Sequence, residues 1–314
     1  MLLSSKRLEC IKIENVNSQF ILFILIIGLG YTLKRLNIIR ESDGDGVSRI
    51  IFNVTLPALI INTFDTMKLD TSLVFITITS LLFGILMSIV GLFAFKNEDR
   101  TLKGTLDMIV PGFNVGLFAY PIVQAIFGTE GLKYIGMFDM GNSITMFVIC
   151  YLIASYFSPN NKTISLKTTA KKLITSIPLM CYIITLIVNL CGVHYPSVIL
   201  NISKILSKGN MPLSLLLLGI CLNFNINKEY RKSVIKVLSL RYFIGLAVGI
   251  ILFRFSPFNN LFKYIVLIGL ILPVGMADIP YAVEFGYDKR FVGTMCNITI
   301  LLSFGLIWII TTLF

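Results

Sequence analysis

The sequence predicts an all-α polytopic membrane protein, and three observations lead there. Hydrophobic residues fill 56% of the 314 positions and charged residues 14%, with a mean hydropathy of +0.86, outside the range of soluble globular domains. Windows of roughly 20 apolar residues recur along the chain, each long enough to cross about 30 Å of hydrocarbon. The net charge of +11 is spread over the short stretches between these windows, as in the loops of a membrane protein and unlike the single basic face of a nucleic-acid binder.

Ten spans follow, at about 17–36, 48–66, 71–95, 104–128, 133–157, 172–193, 197–224, 233–255, 261–285 and 290–313. Span 2 is charge-free only over 50–64, span 8 carries Arg241, and span 9 carries Asp278 and Glu284. Lys6, Arg7, Glu9, Lys12 and Glu14 interrupt the first residues, so 1–16 reads as a short amphipathic extension and not as a cleavable signal. Lys and Arg number 17 in the loops after spans 1, 3, 5, 7 and 9 and 7 on the opposite side, which places the first set in the cytoplasm and both termini outside. The six cysteines form no CxxC pair and read as small core residues. His194, the only histidine, falls in an expected outer loop, so neither a metal nor a cofactor is expected.

Similar punctuation recurs in two halves. Pro57 in TLPALI and Pro212 in NMPLSL stand 155 residues apart, as do Asn142 and Asn297; Pro121 and Pro280 stand 159 apart, as do Gly116 and Gly275. The chain therefore divides into a first five-helix repeat at 17–157, a cytoplasmic linker at 158–171 and a second repeat at 172–314. With an odd number of spans per half, the second copy must insert upside down. Inverted repeats with matching interrupted helices point to a secondary transporter whose site lies near mid-membrane at the repeat interface.

Span 4 contains GFNVGLFAYPIV at 112–123, and span 9 contains Pro273, Gly275, Asp278 and Pro280. Proline removes a donor and clashes with the preceding turn, and in lipid the freed carbonyls need partners inside protein or beside a watery cavity. If both spans unwind and cross, half-helix N-termini meet there with unpaired N–H groups suited to a carboxylate. Asn114 adds an amide that can donate to an anion. Packing alone is the alternative for such Gly and Pro residues. Asp278 lies in the expected unwound part of span 9, so it should face a cavity or a cation and is the expected carrier of a coupling H⁺ or Na⁺. Capping of a half-helix is the competing role. Asp139 lies one turn before Asn142 on the same face, where a structural hydrogen-bonding role is at least as well supported as a ligand role. Asp107, Glu284 and Arg241 sit near span ends and are expected to snorkel, with no chemistry assigned.

Several blocks carry a resemblance. GYTLKRLNII at 30–39 and SRIIFNVTLPALIINTF at 48–64 resemble the opening of the auxin efflux carrier family of membrane transporters. GFNVGLFAYPIVQAIFGTEGLKYIGMFDMGN at 112–142 resembles that family's spans 4 and 5, MPLSLLLLGICL at 211–222 its span 7, and LPVGMADIPYAVEFGYD at 272–288 its span 9, over about residues 18–314 in all. The resemblance implies ten transmembrane helices as two inverted five-helix repeats, broken helices 4 and 9 crossing, and a site there for a small organic anion, auxin in plants or a dicarboxylate in some bacterial members. Asn114 and Pro121 fall on the family's span 4 Asn and Pro, Pro280 on its span 9 proline, and Pro57 and Pro212 on those of spans 2 and 7. The long loop of the plant exporters between spans 5 and 6 is absent.

The expected substrate wall is Asn114, Gly116, Pro121, Gly275 and Pro280, with Pro57, Pro212, Pro273, Asn142 and Asn297 breaking or supporting helices. The expected partners are the bilayer of the cytoplasmic membrane, a small organic anion, H⁺ or Na⁺, and a second copy in a homodimer; nucleic acid is not among them. Two other classes were weighed. A non-transporting ligand sensor would need an output domain that no loop is long enough to hold. An intramembrane aspartyl protease would need Asp139 and Asp278 as a dyad sharing a proton.

Overall fold

The computed structural model of the chain describes residues 2–160, 166–223 and 230–313. Among them every regular element is a helix, and the one β feature is an isolated antiparallel bridge between Phe113 and Val274. Hydrocarbon favours this outcome because a helix satisfies its own backbone groups.

Helix α1 runs Leu2–Arg35, so the expected extension at 1–16 continues into span 1 as one helix. Span 2 comprises α2 (Asp43–Ile50), a π-helical turn Ile51–Thr55 and α3 (Leu56–Phe64); α4 (Thr71–Ala94) is span 3. Span 4 begins as α5 (Arg100–Ile109), breaks, and resumes through a second π turn, Val115–Ala119, into α6 (Tyr120–Ile144). Helix α6 turns over at Gly128, where φ is 63°, so its second part is already span 5, completed by Thr145–Cys150 and α7 (Tyr151–Tyr156). Span 6 comprises α8 (Leu166–Thr175) and α9 (Ile177–Leu190), bent by 70°. Span 7 is split into α10 (Ser197–Ser207) and α11 (Asn210–Cys221). Helix α12 (Arg231–Phe255) follows, then α13 (Asn260–Gly269) and α14 (Asp278–Phe285) as the halves of span 9, and α15 (Lys289–Leu313).

Six helical runs among the described residues are long and apolar enough to cross a membrane, and the bent α8–α9 pair makes a seventh. The protein is an integral membrane protein. The other expected spans are built from pieces too short to register alone, and prolines explain part of this. Pro57 and Pro121 each occupy the second position of an α-helix that follows a π turn. A missing N–H and a crowded carbonyl one turn back loosen the ladder there by one residue.

The spans pack as two groups. Helix α11 lies along α1, α10 along α3, and α3 along α9, joining spans 1, 2, 6 and 7. Helix α4 lies along α6, and α13 packs on α12, α6 and α4, joining spans 3, 4, 5, 8 and 9; α14 packs on α15 and α7. In the first group the contact between spans 1 and 7 rests on two glycines. A Cβ on Gly30 would meet the Leu216 carbonyl and come within 3.2 Å of the Gly219 Cα, and a Cβ on Gly219 would meet the Ile27 carbonyl. The obstacles are backbone, so they cannot rotate away. Gly219→Ala is expected to cost about 1–3 kcal/mol as overpacking. Gly28→Ala, on the same helix with nothing within 4 Å of its Cβ, should instead gain about 0.5–1 kcal/mol from helix propensity. Thermal midpoints of the two variants moving together would refute this account of the contact.

Candidate functional site

The backbone between α5 and the second π turn, and that between α13 and α14, lose their helical hydrogen bonds in the protein interior. Each freed group must find a partner. Phe113 and Val274 bridge one another, and Asn114 N–H donates to the Pro273 carbonyl at 2.9 Å, so the two breaks cross and pair as short antiparallel strands. Asn142 treats Phe113 as a strand neighbour would: its Oδ1 accepts from Phe113 N–H at 3.0 Å and its Nδ2 donates to the Phe113 carbonyl at 3.0 Å. On the other break, Val274 N–H donates to Thr299 Oγ1 at 3.0 Å and Ser303 Oγ donates to the Ile271 carbonyl at 2.6 Å. Asn297, the repeat counterpart of Asn142, donates instead to the Asn223 carbonyl at 3.1 Å, at the end of span 7. At the second break it is Thr299, two residues on, whose hydroxyl meets Val274.

Arg241 overturns the expectation that it snorkels to a membrane surface. It is 3% exposed and its guanidinium lies at the crossing. Nη1 donates to the carbonyls of Ile109, Val110 and Gly112 at 3.0, 2.5 and 2.9 Å, and Nη2 to the Leu272 carbonyl at 2.9 Å. These are the orphan carbonyls at the C-terminal ends of α5 and α13, where the helix dipole favours a cation. The Phe113 ring covers the guanidinium at 4.7 Å. Asp107 is also buried and not at a surface, with Lys103 Nζ 3.0 Å away.

Asp278 is wholly buried as the first residue of α14, and neither carboxylate oxygen has a hydrogen-bond partner among the described residues. The cation whose field it feels is Arg241. Asp139 is engaged otherwise: Oδ1 accepts from Asn142 Nδ2 at 3.4 Å and Oδ2 from Tyr182 OH at 2.9 Å, and Tyr182 OH in turn meets Tyr120 OH. The two aspartates therefore share no proton, and the dyad an aspartyl protease needs is not formed.

A cavity of about 1970 Å³ opens beside the crossing. Asn114, Gly116, Gly275 and Pro280 lie on its wall, with Asp139 and Asn142, whereas Pro121, Pro57, Pro212 and Pro273 lie off it. Asn114 caps the second half of span 4, its Oδ1 accepting from Leu117 N–H at 3.3 Å. Its Nδ2 is buried with no partner among the described residues, a donor left over on the cavity wall. The glycines serve packing: a Cβ on Gly116 would lie 2.8 Å from the Phe52 ring, and one on Gly275 2.5 Å from Met146 Cε. The prolines of spans 2 and 7 flank a second meeting point, where Thr55 Oγ1 donates to Asn210 Oδ1 at 3.1 Å.

Charged residues ring the cavity mouth. Lys172 on α8 pairs with Glu284 on α14 at 2.7 Å and lies 3.7 Å from the Tyr151 ring centroid, while Tyr151 OH donates to Glu284 at 2.6 Å. Asp288 caps α15, and Tyr230 OH donates to it at 2.5 Å. Partial burial would raise the Asp288 carboxyl, but the hydrogen bonds from Tyr230 and from the Arg290 and Phe291 amides outweigh it and hold the group below the usual carboxylate range.

Thr299, Ser303 and Tyr182 at the crossing have no counterpart among the residues expected from the sequence, and Arg241 has one only as a surface anchor. Only Arg241 left a signal, as an unpaired charge inside an apolar run.

Residues 16–311 match the pattern of the membrane transport protein family. A protein of Methanothermobacter thermautotrophicus described as an uncharacterized transporter is 25% identical, the match covering 89% of this chain and 92% of that one. A second uncharacterized transporter, from Methanocaldococcus jannaschii, is also 25% identical with the same coverage, 89% and 92%. With nearly the whole length matched, the chain belongs to the membrane transport protein family, the auxin efflux carriers that its motifs resemble.

Proposed function

We propose that the protein is a secondary transporter of a small organic anion, a carboxylate, which it carries across the cytoplasmic membrane by alternating access. Membership of a transporter family carries the coarse statement, and it points away from an enzyme. One observation carries the finer one: the unpartnered Asn114 Nδ2 on the cavity wall, beside the N-terminal end of the second half of span 4. An amide donor at the positive end of a half-helix suits a carboxylate and offers a cation little.

The reading takes ten spans as two inverted five-helix repeats, 17–157 and 172–314, joined by 158–171, of which 161–165 lie outside the described residues. Its support is that residues in matching places meet each other. Thr55 touches Asn210 and Asn114 N–H donates to the Pro273 carbonyl, each pair at its spans' own repeat offset, as residues do near a pseudo-two-fold axis in the membrane plane. With the orientation expected from the loop charges, which puts both termini outside, the Glu41, Lys172 and Asp288 side of the cavity faces the cytoplasm, and the reading takes this as an inward-facing state. The group holding the crossing moves against spans 1, 2, 6 and 7, and Tyr182 to Asp139 closes the outer side. Asp278 carries the coupling H⁺. Its placement behind the wall, with Ala277 and Ile279 on the wall itself, favours a proton over Na⁺ because a lone carboxylate supplies too few oxygens for a metal ion.

The test is a thermal-shift screen of the purified protein against mono- and dicarboxylates at two pH values. A ligand at about 100 times its Kd stabilises by about 2.7 kcal/mol. The expected result is a saturable rise with one carboxylate class that Asn114→Ala abolishes. No response to any carboxylate, or a response that survives Asn114→Ala, would remove the substrate class or the site.

A further inference from the structure

We propose that Arg241 is a tethered cation that permanently fills the place at the helix crossing where a coupling metal cation would otherwise sit, so that no Na⁺ binds there. Broken-helix transporters coordinate Na⁺ with unwound carbonyls and the C-terminal ends of half-helices, because those ends carry partial negative charge. Here α5 and α13 both end at the crossing, and the four carbonyls that an alkali ion would use, on Ile109, Val110, Gly112 and Leu272, converge on one guanidinium at 2.5–3.0 Å. Three of them come from span 4 and one from span 9, so the ligand set is shared between the two breaks, as a bridging ion's would be.

Charge leads to the same place. Asp278 is buried without a hydrogen-bond partner among the described residues, and Arg241 is the cation acting on it. The crossing thus already holds one fixed positive charge, placed on the carbonyls themselves. The Phe113 ring covers the guanidinium and excludes a second cation from that side. Arginine keeps its charge at any physiological pH, so the cation neither leaves nor neutralises during a transport cycle. A Na⁺ ion at this point would add a second positive charge to carbonyls already occupied. The inference deepens the transporter reading at its own crossing and rests on it, but its test needs no substrate.

The experiment follows the thermal midpoint of the full-length protein in detergent while NaCl, LiCl or KCl replaces choline chloride at constant ionic strength. The wild type should show no difference between cations. Arg241→Ala should melt lower and regain on the order of 5 °C, saturably, with millimolar guanidinium chloride or with an alkali cation. The same additions should leave the wild type unmoved. A saturable Na⁺-specific shift in the wild type would overturn the proposal, as would an Arg241→Ala variant indifferent to guanidinium and to every alkali cation. Should Arg241→Ala fail to fold, Arg241→Lys serves in its place, and the wild-type titration decides independently. Arg241→Lys keeps a fixed charge and is expected to remain indifferent to Na⁺; a Na⁺-stabilised Arg241→Lys would count against a filled site. Failure of the carboxylate reading would appear as a silent carboxylate screen with these cation results intact, so the two failures are distinguishable.

Discussion

Arg241→Gln is expected to lower the free energy of unfolding by about 3–5 kcal/mol, since buried carbonyls left without a donor cost about 1–3 kcal/mol each and the shorter amide can serve only some of them. The loss has two parts. Four carbonyls at the crossing lose a buried donor. In addition, wholly buried Asp278 loses the one cation whose field favours its charged form. The second part predicts non-additivity. Adding Asp278→Asn removes the group on which that field acts, so the double variant should be more stable than the summed single losses by about 0.5–3 kcal/mol of coupling. Thermal or denaturant midpoints of the four proteins measure it. Additive losses would mean that the two side chains do not act on each other, and Asp278 would then need another explanation.

The breaks themselves were legible in the sequence because their causes are local. Gly112, Pro273, Gly275 and the prolines at 57, 121, 212 and 280 write their effect into the residues next to them, and helix ends, π turns and the span 7 split fall where they stand. Pro178 is a local cause left unread: span 6, expected as one helix over 172–193, bends by 70° beside it. What lay across space was not legible. Gly116 and Gly275 read equally well as ligand wall or packing until Phe52 and Met146 were seen filling the room their missing side chains leave. Arg241 read as a surface anchor because its depth was judged along its own helix. Its position is decided by the carbonyl ends of two other spans, and nothing near it in the sequence encodes their direction. The same limit applies to Asn142 and Asn297, which share an offset but not a set of partners.

That last pair gives the second large effect. Asn142→Ala leaves both the N–H and the carbonyl of Phe113 unpaired in the interior, at about 1–3 kcal/mol for each group, so a total loss of about 2–6 kcal/mol is expected. Thr299→Val, nearly isosteric, strands only the Val274 N–H and should cost about 1–3 kcal/mol. Asn297→Ala gives up a single bond to the Asn223 carbonyl, worth about 0.5–1.5 kcal/mol net. The ranking Asn142, then Thr299, then Asn297 follows from which side chain stands in for a missing strand neighbour, and not from position in the repeat. Thermal midpoints of the three variants order them directly. If Asn297→Ala proved as damaging as Asn142→Ala, the two halves would be supported symmetrically, and the asparagine pair would hold the crossing as the sequence offset first suggested. With the expected ranking, the second break is held by Thr299, and the cavity-facing amide of Asn297 is released from a structural duty that Asn142 cannot leave.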